Sequence, residues 1–269
     1  MAEQRLAFDL HCHSNFSDGL PSIPAMEEWC RKNRAGLAIT DHNEIRGSVL
    51  MAERDNVPNL PAIEVGTTEG LEFLVYFPTV SQLEEYYRRA VEPHLYSRFM
   101  VKSRVRCLEC LDVARELGAF VSLAHPFAFG RKSIGKKLAA AASKDHANQV
   151  LDQVDAIEVF NAGIPGISNR YAADFYQGIE KIATLGSDAH MLSDLGNAGI
   201  TMLGGSSCRG PKLFEQLRGD DFEPQAELTY SSLLRTVAVI AWKHTSFFVL
   251  SRDRYHASNR HAVPANQIG

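Results

Sequence analysis

The run "DLHCHSNFSDG", residues 9 to 19, sets His11 and His13 one residue apart and brings Asp18 five positions later. Alternate side chains of an extended strand share a face, so these two histidines project together about 6.6 Å apart along the chain. Imidazoles leaning inward from that spacing can share one ion at nitrogen–metal distances of about 2.0–2.1 Å. Cys12 points to the other face and drops out of the ligand set. With ten histidines in 269 residues, an isolated H-x-H pair carries little weight. It needs partners elsewhere in the chain.

Those partners recur at the ends of short apolar runs. Asp41 and His42 close "GLAITDH", Glu64 lies near the end of "LPAIEVG", and His125 follows "AFVSLA". Glu158 falls in "AIEVFN", and Asp188 and His190 close "KIATLGSDAH". Alternation puts Asp188 and His190 on one face but allows only one of Asp41 and His42 to join them. Mixed imidazole and carboxylate donors suit zinc, iron or manganese better than magnesium or calcium. About eight candidate donors exceed the needs of one ion and imply two or three. A polar cluster without metal is the competing reading. Uncompensated buried charges are costly, and cations would satisfy them.

The elements that must carry these residues alternate in type. Seven apolar runs, "RLAFDLHC", "GLAITDH", "LPAIEVG", "LEFLVYF", "AFVSLAHP", "AIEVFN" and "KIATLGSDAH", are mostly separated by helical patterns such as "IPAMEEWCRKNR" and "LECLDVAREL". Repeated β-then-α order predicts an α/β fold with a parallel sheet and helices outside. Seven strands in about 190 residues favour a (β/α) barrel, whose strand ends would gather the polar residues on one face. The expected organisation is a single domain over 1–269, with a helical insertion at about 79–118 and a C-terminal extension at about 205–269. "AGITML" reads as a last strand and "GPKLFEQLR" as a helix.

Composition narrows the class. Hydrophobic residues at 45% and charged residues at 22% describe an ordinary globular chain, and a net charge of −4 argues against a dedicated, sequence-independent nucleic-acid binder. Five cysteines and no basic-then-apolar leader predict a reduced, cytoplasmic protein. Arg235, Lys243 and His244 interrupt the most apolar late stretch, so no membrane span is expected. Cys107 and Cys110 have C-x-x-C spacing inside a helical run. No second cysteine pair completes a zinc site, and buried small apolar side chains are their expected role.

Taken in order, "DLHCHSNFSDG", "ITDHN", "AIEVGTTEG", "LAHP" and "LGSDAH" resemble the polymerase and histidinol phosphatase (PHP) superfamily, over residues 8 to about 203. The resemblance implies a distorted seven-stranded (β/α) TIM-like barrel and a site for up to three divalent metals. It also implies that His11, His13, Glu64 and Asp188 hold one ion, and that Glu64 bridges to a second bound by His125. Asp18, His42 and His190 would hold a third. Many relatives carry a further histidine at the start of the fourth strand, where this chain offers Glu72 in "LEFLVYFP". The second site therefore uses Glu72, takes water instead, or is weakly occupied.

The implied activity is phosphoester hydrolysis by a metal-bound hydroxide, since a bound water can fall in pKa from 15.7 to about 7. Glu64, Asp188 and His190 form the candidate catalytic set, the last two as proton carriers. Arg131 and Lys132, after the fifth strand, are candidate contacts for the substrate phosphate. The expected substrate is a small phosphorylated metabolite or nucleotide, possible also as a short oligonucleotide, with no stable nucleic-acid complex. Two other readings compete: an amidohydrolase-type metal hydrolase, and a non-catalytic metal-binding barrel. The amidohydrolase reading lacks a lysine at a strand end, and the absence of G-x-S-x-G and of a phosphate-binding G-x-x-x-x-G-K-[ST] loop removes serine hydrolysis and NTP-driven transfer.

Overall fold

The structure is a computed structural model. It describes residues 5–54, 57–95, 103–128, 134–135, 144–204 and 208–226. The chain begins with β1 (Arg5–Cys12), α1 (Ile23–Asn33), β2 (Ala35–Ile39), α2 (Arg46–Ala52), β3 (Ala62–Gly66) and β4 (Glu72–Tyr76). There follow α3 (Val80–Tyr86), α4 (Cys107–Glu116), β5 (Phe120–Leu123), α5 (Lys144–Gln153), β6 (Ala156–Asn161) and α6 (Gly166–Tyr176). Last come β7 (Ile182–Gly186), β8 (Ala198–Leu203), α7 (Gly210–Arg218) and β9 (Phe222–Ala226). All seven apolar runs form strands.

Their assembly corrects the expectation of a seven-stranded barrel. Among the described residues, the strands form two mixed sheets, one of four ordered β2-β1-β8-β9 and one of five ordered β3-β4-β5-β6-β7. Strand β4 runs antiparallel to both β3 and β5, and β8 runs antiparallel to β1 and β9. The cause lies in the connections. Only Thr67–Leu71 joins β3 to β4, with Gly70 at φ 75° in the turn, whereas a parallel return needs about a dozen residues or more. Among the described residues the sheets do not merge into one closed ladder. They touch at isolated bridges, Cys12 with Ala189 on one side, and Leu37 with Asn59 and His42 with Glu64 on the other.

Period-two alternation sorts the apolar side chains. Leu74 and Tyr76 of β4 join Leu6, Phe8, Leu10, Ile200 and Phe214 in a core shared by both sheets. Phe73 and Val75 face the opposite way, under Tyr86, Tyr87, Val91, Leu111 and Val150. Burying each such side chain is worth about 1.5–3 kcal/mol. The described parts of the helical stretch foreseen at 79–118 thus pack on the outer face of the five-stranded sheet; among them are α3, a π-turn at Tyr87–Val91, a 3₁₀ turn at Glu92–His94, and α4. Helix α1 packs Ile23, Met26 and Cys30 on Leu37, Ile39 and Cys12. Of the C-terminal extension, α7 and β9 are seen, and the late apolar stretch lies outside the described residues. Among the described residues, no helix is long and apolar enough to cross a membrane.

Candidate metal centre

The seam between the sheets gathers the candidate ligands. His11 and His13 lie at the end of β1, backbone-paired to the segment after β7 through Asp188 N to His11 O at 2.7 Å and His13 N to Ala189 O at 2.9 Å. Across the other seam, Asn43 N donates to Glu64 O at 2.8 Å and fixes His42 beside β3. Glu72 begins β4, and because β4 is antiparallel, its first residue pairs with Gly66 and returns to the same edge as Glu64. His11, His13, Asp18, His42, Glu64, Glu72, His125 and His190 are all buried. The Asp188 side chain is 15% exposed, marking the side from which solvent reaches the cluster.

The spacing of donor atoms is diagnostic. Two donors about 2.1 Å from a common tetrahedral ion stand about 3.4 Å apart. His11 Nε2 lies 3.5 Å from Glu64 Oε2 and 3.6 Å from Asp188 Oδ1, and His13 Nε2 lies 3.5 and 3.1 Å from the same two oxygens. Asp18 stands 3.5 Å from His13 Nδ1, 3.5 Å from His42 Nε2 and 3.3 Å from His190 Nε2. His125 Nε2 lies 3.2 Å from Glu64 Oε1 and 3.4 Å from Glu72 Oε2. His11 Nε2, His13 Nδ1, His190 Nε2 and Glu64 Oε2 are buried without a hydrogen-bond partner. Orphaned buried donors at ligand spacing fit divalent cations.

Outer partners hold these side chains. Glu158 Oε1 accepts from His11 Nδ1 at 2.9 Å, which leaves Nε2 facing the cluster. Glu158 Oε2 accepts from His125 N at 2.8 Å and Asn161 Nδ2 at 3.0 Å. Asn161 Nδ2 also reaches Asp188 Oδ2 at 3.3 Å. Asp41 faces away from the cluster and binds the Asp18 loop, accepting from Ser14 N at 2.8 Å and from the hydroxyls of Ser14 and Ser17. Of the Asp41–His42 pair, His42 is therefore the one turned inward. Cys12 donates its thiol to Ala38 O and takes no part. Asp9 accepts from Ser187 and Gly196 N and ties the segment after β7 to β1.

Backbone strain concentrates here. His125 has φ 27° and Asp188 φ 52°, left-handed values that cost about 1–3 kcal/mol for such residues. Gly19 tolerates no side chain, since a Cβ would lie 2.3 Å from His13 O. That close approach lets the loop turn and return Asp18.

The electrostatics follow from burial against opposite charge. Burial lowers the pKa of His42, but the carboxylates of Glu64 and Asp18 override it and raise the value to about 10. His190 rises to about 9, burial again being overcome by Asp18 and then Asp188. His13 is lowered by burial and by the neighbouring His190. Burial raises Asp18, Glu64 and Asp188, yet surrounding imidazoles hold all three well below the carboxylate range. In the metal-free protein, protons on His42 and His190 supply part of the positive charge that cations would bring.

Sequence reasoning saw Glu158 as a strand-end acid without a role, and it missed Asn161, Ser14, Ser17 and Asp9. An acid set among apolar neighbours in "AIEVFN" was the available signal for Glu158. Arg131 and Lys132 lie outside the described residues.

No protein-family profile matches the chain. An uncharacterized protein of Methanocaldococcus jannaschii is 29% identical over 194 residues, covering 71% of this chain and 68% of that one. Among solved structures, a two-domain protein from Bacteroides vulgatus containing a predicted PHP-like metal-dependent phosphoesterase superposes with a TM-score of 0.56 at 15% identity, over 93% of this chain and 73% of the other. The lesion-specific Endonuclease Q of Pyrococcus furiosus gives 0.62 at 17% identity, over 82% of this chain and 58% of the enzyme. The chain has the PHP-type fold. A second Endonuclease Q structure, in complex with a duplex substrate carrying an abasic lesion, gives 0.61 at 18% identity, over 80% of this chain and 57% of that one. An amidohydrolase from Chromobacterium violaceum, solved with sulfate and no metal, gives 0.56 at 16%, over 81% and 98%. The PHP-type fold is thus shared with proteins of more than one description, and function must be argued from the site.

Proposed function

We propose that the chain is a PHP-superfamily metal-dependent phosphoesterase that hydrolyses a phosphoester of a small metabolite, a nucleotide or an oligonucleotide. The observation that carries this reading is the set of imidazole and carboxylate donors spaced 3.1–3.6 Å apart around Glu64, Asp188 and Asp18, several of whose buried atoms lack a hydrogen-bond partner. His11, His13, Glu64 and Asp188 would hold one ion, and Glu64 would bridge to a second beside His125 and Glu72. Asp18, His42 and His190 would hold a third. Zinc, iron and manganese all suit these donors. Bound there, divalent ions supply a hydrolytic nucleophile at neutral pH and a Lewis acid for phosphoryl oxygens.

The chain's own residues set the stage for that chemistry. His190 donates Nδ1–H to Asp188 O at 2.8 Å, which turns its Nε2 towards Asp18. Asp188 and His190 flank the partly open side and are the groups placed to carry protons for the reaction. Arg131 and Lys132, shortly after His125 in the chain, are assigned to the substrate phosphate. The Endonuclease Q likeness supports adding duplex DNA to the substrates tested, and the expectation that no stable nucleic-acid complex forms is not carried forward.

The test is to strip the protein with chelator, reload it with manganese, zinc or iron(II), and assay a phosphomonoester, a phosphodiester, an abasic duplex and an amide. Cleavage of at least one phosphoester is expected. The His13→Ala variant should lose metal affinity beyond the roughly 100-fold ascribed to outer partners, and lose rate with it. Reloaded protein inert on every phosphoester sinks the proposal, and turnover of the amide alone transfers it to the amidohydrolase reading.

A further inference from the structure

A second group of metal-ligating side chains stands apart from the sheet seam. Glu69 lies in the β3–β4 turn, Cys107 opens α4, and His146 sits in the first turn of α5. One donor atom from each falls within 4.8 Å of the others. From these three we infer a separate binding site for a thiophilic divalent cation, of the zinc class, that pins the β3–β4 turn to α4 and α5.

Three observations point there. Cys107 is fully buried at the start of α4, and its sulfur has Thr67 Oγ1 at 3.2 Å as a neighbour that can donate to a metal-bound thiolate. His146 Nε2 is buried without a hydrogen-bond partner although its ring is about one-third exposed, and it stands 4.0 Å from Glu69 Oε1. Glu69 is held in place from the other side, its two oxygens accepting from Cys107 N at 3.2 Å and from Thr68 Oγ1 at 2.8 Å. Zinc bonds of about 2.3 Å to sulfur and 2.0–2.2 Å to nitrogen and oxygen put tetrahedral ligands about 3.3–3.7 Å apart. The carboxylate–imidazole pair must therefore close by well under an ångström, within the reach of a ring that is one-third exposed. Glu69 and His146 are the partly exposed members of the group, at 19% and 32% of their side chains, so a cation has a route in from solvent.

The C-x-x-C spacing of Cys107 and Cys110 is then incidental. Cys110 donates its thiol to Cys107 O at 3.1 Å and is not a member of the group. The exposed Arg106 guanidinium lies 3.9 Å from Glu69 and can swing aside when a cation enters. Sequence spacing alone could not find this site, because its ligands are separated by about 40 residues at each step and meet only through packing of α4 and α5.

Cobalt(II) titration of chelator-stripped protein tests the assignment. Sulfur bound to cobalt gives a near-ultraviolet charge-transfer band, whereas the nitrogen and oxygen donors of the sheet seam give none. The band is expected in the unaltered protein and in His13→Ala, absent from Cys107→Ser, and displaced by zinc. Because Cys107 is in the core, His146→Ala is the companion variant; it should weaken the cobalt affinity of the band at least about tenfold while leaving the fold intact. No band in the unaltered protein, a band surviving Cys107→Ser, or undiminished affinity in His146→Ala would each overturn the site. None of these outcomes depends on phosphoesterase activity, so the two proposals fail separately.

Discussion

Replacing Glu158 by glutamine changes one atom and removes one charge, yet it should disable a ligand it never displaces. Glu158 accepts three hydrogen bonds, from His11 Nδ1, His125 N and Asn161 Nδ2, at 2.8–3.0 Å. A glutamine has one acceptor oxygen. Turned towards His125 N and Asn161, that oxygen satisfies two donors and leaves its NH₂ against His11 Nδ1. His11 can then only accept at Nδ1, so its proton moves to Nε2, the nitrogen that faces Glu64 and Asp188 at 3.5 and 3.6 Å. A protonated Nε2 cannot bind a metal. Hydrogen bonds to charged groups are worth about 1.5–3 kcal/mol, which corresponds to a loss of roughly 10- to 150-fold in affinity. Competition with a calibrated chelator measures it, with thermal unfolding of the metal-free variant as the control for folding. Unaltered metal affinity in a folded Glu158→Gln protein would refute the claim that Glu158 sets the His11 tautomer.

Three further outcomes follow from the same geometry. In stripped protein, His42 and His190 have pKa values of about 10 and about 9, above their unfolded value near 6.5, so their stabilisation is complete below about 6.5 and is lost as pH rises through 9 to 10. Asp18, Glu64 and Asp188 act oppositely, stabilising above about 4 and losing that contribution as pH falls through their depressed values. The melting temperature of metal-free protein should therefore fall on both flanks, and metal binding near neutrality should release protons, measurable as buffer-dependent calorimetric heat. Gly186→Ala places a Cβ 2.3 Å from His11 Cβ and 2.8 Å from Glu158 Oε1. Overpacking of this kind costs about 1–3 kcal/mol, and a variant as stable as the parent in denaturant titration would contradict the packing described.

The seven strands were legible because buried strands carry dense apolar runs, and most of the inward-facing candidate ligands because they interrupt or end such a run. The path of β4 was not legible. "LEFLVYF" is equally apolar on both faces in either direction, and only the five-residue turn before it reveals that the chain must double back. The placement of Glu72 was affected in turn: at the start of a parallel strand it would lie at the far edge of the sheet, whereas the reversal brings it beside His125. Serine and asparagine partners such as Ser14, Ser17 and Asn161 left no periodic signal. Their roles depend on which loop comes to rest against which carboxylate, and that is decided by tertiary contacts.

The two seams also explain why the candidate ligands can sit so close without expelling each other. A continuous ladder would fix neighbouring strands about 4.8 Å apart along their length. Here the sheets meet through a few hydrogen bonds, and His11, His13, His42 and Glu64 project from backbone that is only locally paired. Left-handed turns at His125 and Asp188 bring in the remaining donors at a conformational cost. In metal-free protein that cost is met by ion pairs in which His42 and His190 carry protons at neutral pH, with Asp18 between them. Part of the positive charge that cations would bring is therefore present without them. Chelation at neutral pH should leave a folded protein that regains metal without refolding, because a proton already stands where each of those two imidazoles would otherwise hold an ion.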